Sequence, residues 1–425
     1  MKRIFSCIIL AAVTLAACRK EPDPVFSETA DQRINRVLNE YQATLAASAN
    51  GWNGELTTKN NVTYRFHFSF DNANHVKMFS DFDGTSSSVR KESSFRLKAL
   101  QQPSLLFDSY SYIHILSDPA DSISGGPEGV GLNGDFEFSM DSVTADVIKL
   151  TGRQQGAKMT LRKASAADLD AWQSGKWAGG ARIADLSKKI LNYFKRLTIS
   201  GRQYEVRIDP SFHTITFTWR DGGGNPQSHT TEYNYSADGL ILTEPLQDGA
   251  NTISRLSGMT WNGSTLNLSV NGATAGTING AIAPLVIDVN AGRRWYQASQ
   301  QTYWRGTSFN IKGVWDTYGL WKLENFAFLI FQYGSQYDIF GFVFLESGGL
   351  ALNFGIGTDT PNFTGGKTVF PFLGELGDVP PEAMDAYVKT AVKFLNPDGW
   401  WFIQTGPHQF DMVDATDATS YMVWY

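Results

Sequence analysis

Tyr64, Phe66, Phe68 and Phe70 alternate with Arg65, His67 and Ser69, and only an extended strand places four aromatic rings at that spacing on one face. Asp71-Asn72 closes the run as a turn. Similar short runs follow at residues 76–80, 94–100, 105–116, 135–140, 147–150 and 158–162, and residues 54–58 precede it. Eight strands of this length, separated by turn residues, have the spacing of an up-and-down meander or barrel. A chain so patterned must bury one face of each strand, which limits it to β-dominated folds.

Helical periods interrupt the strands at intervals. Over 31–49, Ile34, Val37, Leu38, Tyr41 and Leu45 fall on one helical face, and Asn50-Gly51 supplies the stop. Residues 165–172 form a short helix with Ser165 and Asp168 at capping-box spacing. Ile183, Leu186, Ile190, Phe194 and Leu197 predict a second amphipathic helix over 183–197. A third is predicted over 381–395, with Pro381 in its first turn and Met384, Tyr387, Val388, Ala391, Val392 and Leu395 on one face. Residues 293–321 are irregular and aromatic by contrast, and 325–344 return to strand.

The first and third helices share an ending: a turn with Asn-Gly or Asp-Gly, then Trp52 or Trp400 opening a strand. A tryptophan there can lie across the seam between helix and sheet, burying roughly 150–250 Å². The recurrence is consistent with duplication of one helix-plus-meander module. The expected fold class is therefore α+β, β-dominated, with antiparallel meander or barrel-like sheets each braced by an amphipathic helix. The expected organisation is a signal peptide at 1–17, a tether at 18–30, a helix plus β-meander domain at 31–164, a second helix plus β domain at 165–290, and a C-terminal β-rich region at 291–425.

The N-terminus carries a separate message. Lys2 and Arg3 precede a mostly apolar run over 4–15, too short to cross roughly 30 Å of hydrocarbon as a helix. It ends at Leu15-Ala16-Ala17-Cys18, the pattern of a bacterial lipobox, so cleavage before an acylated Cys18 is expected. Two or more acyl chains make a stable anchor, at about 0.8 kcal/mol per buried methylene. Cys7 and Cys18 are the two cysteines of the 425-residue chain, so the mature body has no disulfide and relies on its core. The formal charge of −6 becomes −8 once Lys2 and Arg3 are removed, and no Lys/Arg cluster is present to neutralise phosphates. Nucleic acid is thus not an expected partner.

The lipobox, Gly51-Trp52, the strand from Phe66 to Phe70, Ser80-Asp81, the Tyr110 to Ser117 segment and Gly131-Leu132-Asn133-Gly134-Asp135-Phe136-Glu137-Phe138 resemble domain-of-unknown-function family 4302, a group of Bacteroidota lipoproteins. The likeness is strong over 18–163 and looser beyond. It implies placement at the outer membrane, near starch-utilisation-type (SusC/SusD-like) importers. It also implies nutrient capture rather than a known reaction. Arg19, Lys20 and Glu21 are similar to the charged tag that directs such lipoproteins to the cell exterior, although Pro22 stands where a second acid is usual; a periplasm-facing position is the alternative.

Catalytic and cofactor motifs are weak. Gly129-Val130-Gly131-Leu132-Asn133-Gly134 matches G-x-G-x-x-G, but strand-like residues follow where a helix N-terminus should receive a pyrophosphate, so a glycine-rich loop is the better reading. His67, His75, His114, His213, His229 and His408 are scattered, with no H-E-x-x-H, so no metal and no cofactor is expected. Asp81-Phe82-Asp83-Gly84 lacks the further oxygens of a calcium loop and reads as a turn. No G-x-S-x-G elbow or free cysteine nucleophile occurs.

The residues best suited to recognition are Trp295, Tyr303, Trp304, Arg305, Trp315, Tyr318 and Trp321, accompanied by Tyr296, Arg293 and Arg294. Flat rings offer apolar faces to sugars or peptide side chains, and guanidinium groups can pair with carboxylates. The expected function is a lipid-anchored, non-catalytic binding or accessory component that takes a glycan or peptide. A hydrolase whose carboxylates assemble in the fold and a structural scaffold are the alternatives.

Overall fold

Eight antiparallel strands between Trp52 and Lys163 pair in chain order, and the first then pairs with the last, Trp52 opposite Lys163, to close a barrel. A second eight-stranded barrel follows, closed between Phe194–Ile199 and Thr274–Ala281. An eleven-stranded sheet occupies the remainder, its strands running from Trp304–Gly306 to Ser420–Trp424. These are the features of a computed structural model that describes residues 28–425. The signal peptide, Cys18 and most of the 18–30 tether lie outside the described residues. The β-dominated, antiparallel character expected from the alternation is what the structure has.

The first barrel is filled by its own side chains. Tyr64, Phe66, Phe68 and Phe70 are all buried, Phe66 and Phe68 stacking at 5.3 Å and Phe70 meeting Phe95 edge-on at 5.0 Å. Eight strands enclose about the space that large side chains can fill, so rings of this size leave a packed core. The helix Ala30–Ala46 braces this barrel through Leu45 and Tyr41, and Thr29 caps it: its hydroxyl accepts the Gln32 N–H while Gln32 Oε1 accepts the Thr29 N–H. Within 105–116 the strand ends at Phe107 and a short helix, Tyr112–Ile115, follows. There the Ser111 N–H donates to His114 Nδ1 at 3.1 Å, a local cap that competes with strand pairing. The glycine-rich stretch before Asp135 leads into the strand Glu137–Val143.

The helix expected over 183–197 is two different things. Short helical turns run from Lys176–Ala181 through Arg182–Asp185 to Leu186–Lys189, and the chain then extends as the strand Phe194–Ile199. All five apolar positions are buried, so the periodicity reported burial correctly. Barrel closure needs a strand pairing with both Arg202–Asp209 and Thr274–Ala281, and that tertiary demand overrides the local period. Ahead of these turns, Trp172 of the helix Ala166–Gln173 stacks on Phe79 of the first barrel and on Trp177, whose ring packs into the second barrel's core.

In the last region, Ala291–Ser299 is a helix where irregular chain was expected. Its Ala291, Trp295, Tyr296 and Ser299 are buried, and the rings of Phe331, Phe402 and Trp424 surround Trp295 within 5.4 Å. The helix Met384–Phe394 turns Tyr387, Ala391 and Phe394 inward, Phe394 stacking on Phe340 at 3.9 Å. Met384, Val388 and Val392, expected on the same inward face, are exposed. The sheet curls round the 387/391/394 side, where the aromatic residues supply the larger burial.

Candidate functional site

A loop between Ile311 and Phe326 carries the exposed aromatics, and short-range hydrogen bonds hold it. Asp316, at φ 49°, accepts the N–H groups of Leu320 and Trp321 on its two carboxylate oxygens, at 2.9 and 3.0 Å. Thr317 donates from its hydroxyl to Val314 O at 2.7 Å and accepts the Ile311 N–H at 3.2 Å. Gly319, at φ 75°, makes the turn into the single helical turn Leu320–Lys322, and Leu320 anchors it in the core. Asp316 thus satisfies the donors at the start of that turn, as an N-cap does.

Trp315 and Trp321 project from this loop with 56% and 49% of their surfaces exposed, ring centroids 5.8 Å apart and planes inclined by 30°. Trp321 also meets Phe326 edge-on at 5.5 Å, and Phe326 packs on Phe344 at 5.7 Å. The pair is therefore held from beneath while its outer faces stay in water. Covering half of an indole releases on the order of 2–3 kcal/mol per ring at about 25 cal/mol per Å², enough to drive ligand binding.

Phe344 also lines a cavity of about 870 Å³ beside the loop. Tyr318, Lys322, Glu324 and Asn325 enter it from the loop side, and Asp385 and Lys389 from the helix Met384–Phe394. Lys389 is committed to Asp385 at 2.7 Å. Burial raises the Tyr318 hydroxyl above its ordinary pKa, so it remains a protonated donor near neutrality. Mixed donors and acceptors beside bare ring faces can hold a polyhydroxylated or amide-bearing ligand without covalent chemistry.

The aromatic residues expected to act together are divided by the fold. Trp295 is 0% and Trp304 4% exposed, both inside the core, with Trp304 Nε1 donating to Trp295 O at 2.9 Å. Neither offers a face to a ligand, because the curled sheet closes over them. Tyr303 and Arg305 lie on another part of the surface: the Arg305 guanidinium sits 4.7 Å over Phe328 and donates to the Tyr303 hydroxyl at 3.1 Å. Trp315, Tyr318 and Trp321 remain on one loop. The cavity residues Asn353, Asp378 and Lys389 escaped sequence reasoning because they join the site only through sheet and helix packing. Among the described residues no cluster of three or more metal-ligating side chains occurs.

Two closed up-and-down barrels followed by a curled, aromatic-cored sheet define an all-antiparallel class of protein whose interiors are packed and whose candidate site lies on the surface. The chain belongs to the family described as domain of unknown function (DUF4302), whose profile matches residues 22–263. That span takes in the first barrel and most of the second, and stops short of Trp315 and Trp321. No curated protein matches the chain. Among solved structures, an H. pylori beta clamp in complex with 5-chloroisatin is similar at 10% identity over 92% of this chain and 96% of that one, with a TM-score of 0.15, too low to bear on fold or function.

Proposed function

We propose that this protein is an outer-membrane lipoprotein, acylated at Cys18 and facing the cell exterior, that serves as a non-catalytic binding or accessory component of a nutrient-uptake system. Its partners are starch-utilisation-type (SusC/SusD-like) importer components in a Bacteroidota cell envelope, and its ligand is a glycan, with a peptide as the alternative. The observation that carries the reading is the stacked, half-exposed pair Trp315 and Trp321 on a rigid loop. Sugar rings present C–H faces to such indoles, and the adjoining cavity supplies hydroxyl, amide and charged partners.

The test uses the soluble Cys18→Ala protein on neutral glycan and peptide panels. Trp315→Ala and Trp321→Ala should each weaken binding roughly tenfold or more, in line with about 2 kcal/mol per ring, with the protein still folded at the assay temperature. Unaltered affinity in both variants removes the site. Anchoring is tested separately: Cys18→Ala should abolish palmitate incorporation and release the protein from membranes. The carboxylates Glu324 and Asp378 in the same cavity favour a hydrolase as the second reading. Turnover of a bound glycan, lost in Glu324→Gln or Asp378→Asn, would establish it in place of simple binding.

A further inference from the structure

A second cleft, of about 830 Å³, opens between the outer wall of the second barrel and the outer face of the last sheet. Its walls are fixed against each other. Phe194, Trp401, Val413, Ala415 and Ala418 form one apolar cluster across the junction. The Tyr193 N–H donates to Ala418 O at 2.7 Å, and Asn192 Nδ2 donates to Asp417 O at 2.8 Å. Preformed clefts of this volume at junctions between packed units are where small ligands are commonly held.

The charges in the cleft are unevenly committed. Glu205 accepts the Leu285 N–H at 2.8 Å and pairs with Arg196 at 3.5 Å, and Asp411 accepts the Tyr193 hydroxyl at 2.6 Å. Burial pushes both carboxyls above their ordinary pKa, that of Asp411 against the opposing charge of Arg207. Arg207, Lys195 and Lys312 line the same cleft, and among the described residues none of them has a carboxylate within 4.0 Å. The Lys195 amine donates to the carbonyls of Asn192 and Tyr193, at 2.9 and 3.4 Å, and burial lowers it to about 8. Asn310 Oδ1, also in this cleft, is buried without a hydrogen-bond partner among the described residues. Lys195 and Lys312 face no acid within 4.0 Å among the described residues, and Arg207 feels the Asp411 charge only from beyond that distance, which leaves a place for one more negative group.

We infer that this cleft binds a carboxylated oligosaccharide whose acid group pairs with Arg207. The planar guanidinium fork matches a carboxylate in two parallel hydrogen bonds. Around it, the Thr218 hydroxyl has no partner among the described residues, the Thr216 and Thr405 hydroxyls, which bond Thr230 at 2.9 Å and Asp411 at 3.4 Å, keep lone pairs for a sugar hydroxyl, and Ile403 and Tyr421 supply apolar surface. The site uses different side chains from the Trp315 and Trp321 platform and stands or falls separately from it.

Titration calorimetry on the full mature chain with oligogalacturonate, a neutral oligogalactose of equal length, oligoglutamate and inorganic phosphate tests the assignment. Oligogalacturonate should bind, at least tenfold more tightly than the neutral oligomer, and weaken as salt is added. Arg207→Gln should reduce that affinity at least tenfold without lowering the melting temperature, since Arg207 is exposed and has no carboxylate within 4.0 Å among the described residues. Asp411→Asn, which removes a neighbouring negative charge, should tighten binding severalfold. Binding should persist within twofold when Trp315 and Trp321 are both replaced by Ala. Absence of uronate binding, equal affinity for the neutral sugar, stronger binding of oligoglutamate or phosphate, indifference to Arg207→Gln, or loss in the double tryptophan variant would each overturn the inference.

Discussion

The indole N–H of Trp52 donates to the backbone carbonyl of Leu45 at 2.9 Å, tying the first strand of the first barrel to the last turn of the helix before it. Carbonyls in that last turn have no partner within the helix, so the indole satisfies one while its ring fills the seam. Trp400 does the same to Phe394 O at 2.8 Å, and Trp304 bonds Trp295 O at 2.9 Å in the helix that precedes it. Three helices are thus joined to following strands by one device.

Trp52→Ala should destabilise the protein by about 3–5 kcal/mol, because Trp52 is wholly buried and its removal leaves a cavity as well as an open carbonyl. Trp52→Phe, which keeps most of the volume and loses the donor, should cost about 1–2 kcal/mol. Denaturant unfolding followed by tryptophan fluorescence measures both. An unchanged midpoint for the alanine variant would contradict the role assigned to the seam.

Trp295 and Trp304 are similarly buried but differ in one hydrogen bond. Among the described residues Trp295 Nε1 has no partner, whereas Trp304 Nε1 is bonded. Replacing Trp295 with Phe removes an unsatisfied donor and offsets part of the cavity cost, so a loss under about 1 kcal/mol is expected. Trp304→Phe should lose about 2 kcal/mol. Equal losses in parallel urea titrations would refute the difference.

Where the two barrels meet, Asp81 and His213 respond to pH in opposite directions. Burial raises the Asp81 carboxyl to about 7, against the opposing hydrogen bond from the Arg65 N–H, so its contribution is complete below about pH 4 and is lost as pH rises through 7. His213, packed between Tyr64 and Tyr233, is lowered to about 3 by burial and by Arg65, so its contribution is complete above about pH 6.5 and is lost as pH falls towards 3. Each slope approaches about 1.4 kcal/mol per pH unit, and between roughly pH 4 and 6.5 they cancel. Asp81→Asn should therefore make the melting temperature fall with acidification relative to the native chain. His213→Asn, chosen because asparagine tolerates the φ of 49° there, should make it rise. Parallel pH profiles for all three proteins would show that neither group is held as described.

Asp135 gathers the turn after the strand Val147–Gly152. Its carboxylate accepts the N–H groups of Gln154 at 2.8 Å, Gln155 at 3.0 Å and Ala157 at 3.0 Å. Asp135→Ala would leave three donors open in a largely buried place, with an expected loss of about 2–4 kcal/mol, while Asp135→Asn should retain part of the set and lose less. Calorimetric melting of the pair decides it, and a neutral alanine variant would mean the turn is held by other means.

Much of the fold is legible because it depends on short spacings. The 64–70 alternation and the helix face from Ile34 to Leu45 each follow from one local period; the four rings of the first are buried, and in the second Leu45 is buried and Ile34, Val37, Leu38 and Tyr41 are half-buried. Reading fails where two elements share one pattern. Phe194 and Leu197 continue the spacing of Ile183, Leu186 and Ile190, yet they belong to a strand whose partners lie far along the chain. It fails likewise where burial competes, as when Phe394 and Tyr387 turn inward and Val392 is left exposed.

Residue order alone committed this chain to antiparallel β structure, to helices that stop shortly before Trp52 and Trp400, and to a body without disulfides, because alternation, turn chemistry and cysteine count act locally or by composition. Which tryptophans would become core and which would meet solvent was settled only when the last sheet curled. Trp295 and Trp304 fell inside that curl, while Asp316 held Trp315 and Trp321 outside it. The same holds for Arg207 and Asp411, some 200 positions apart, which share a cleft because the second barrel packs against the sheet and brings both walls together.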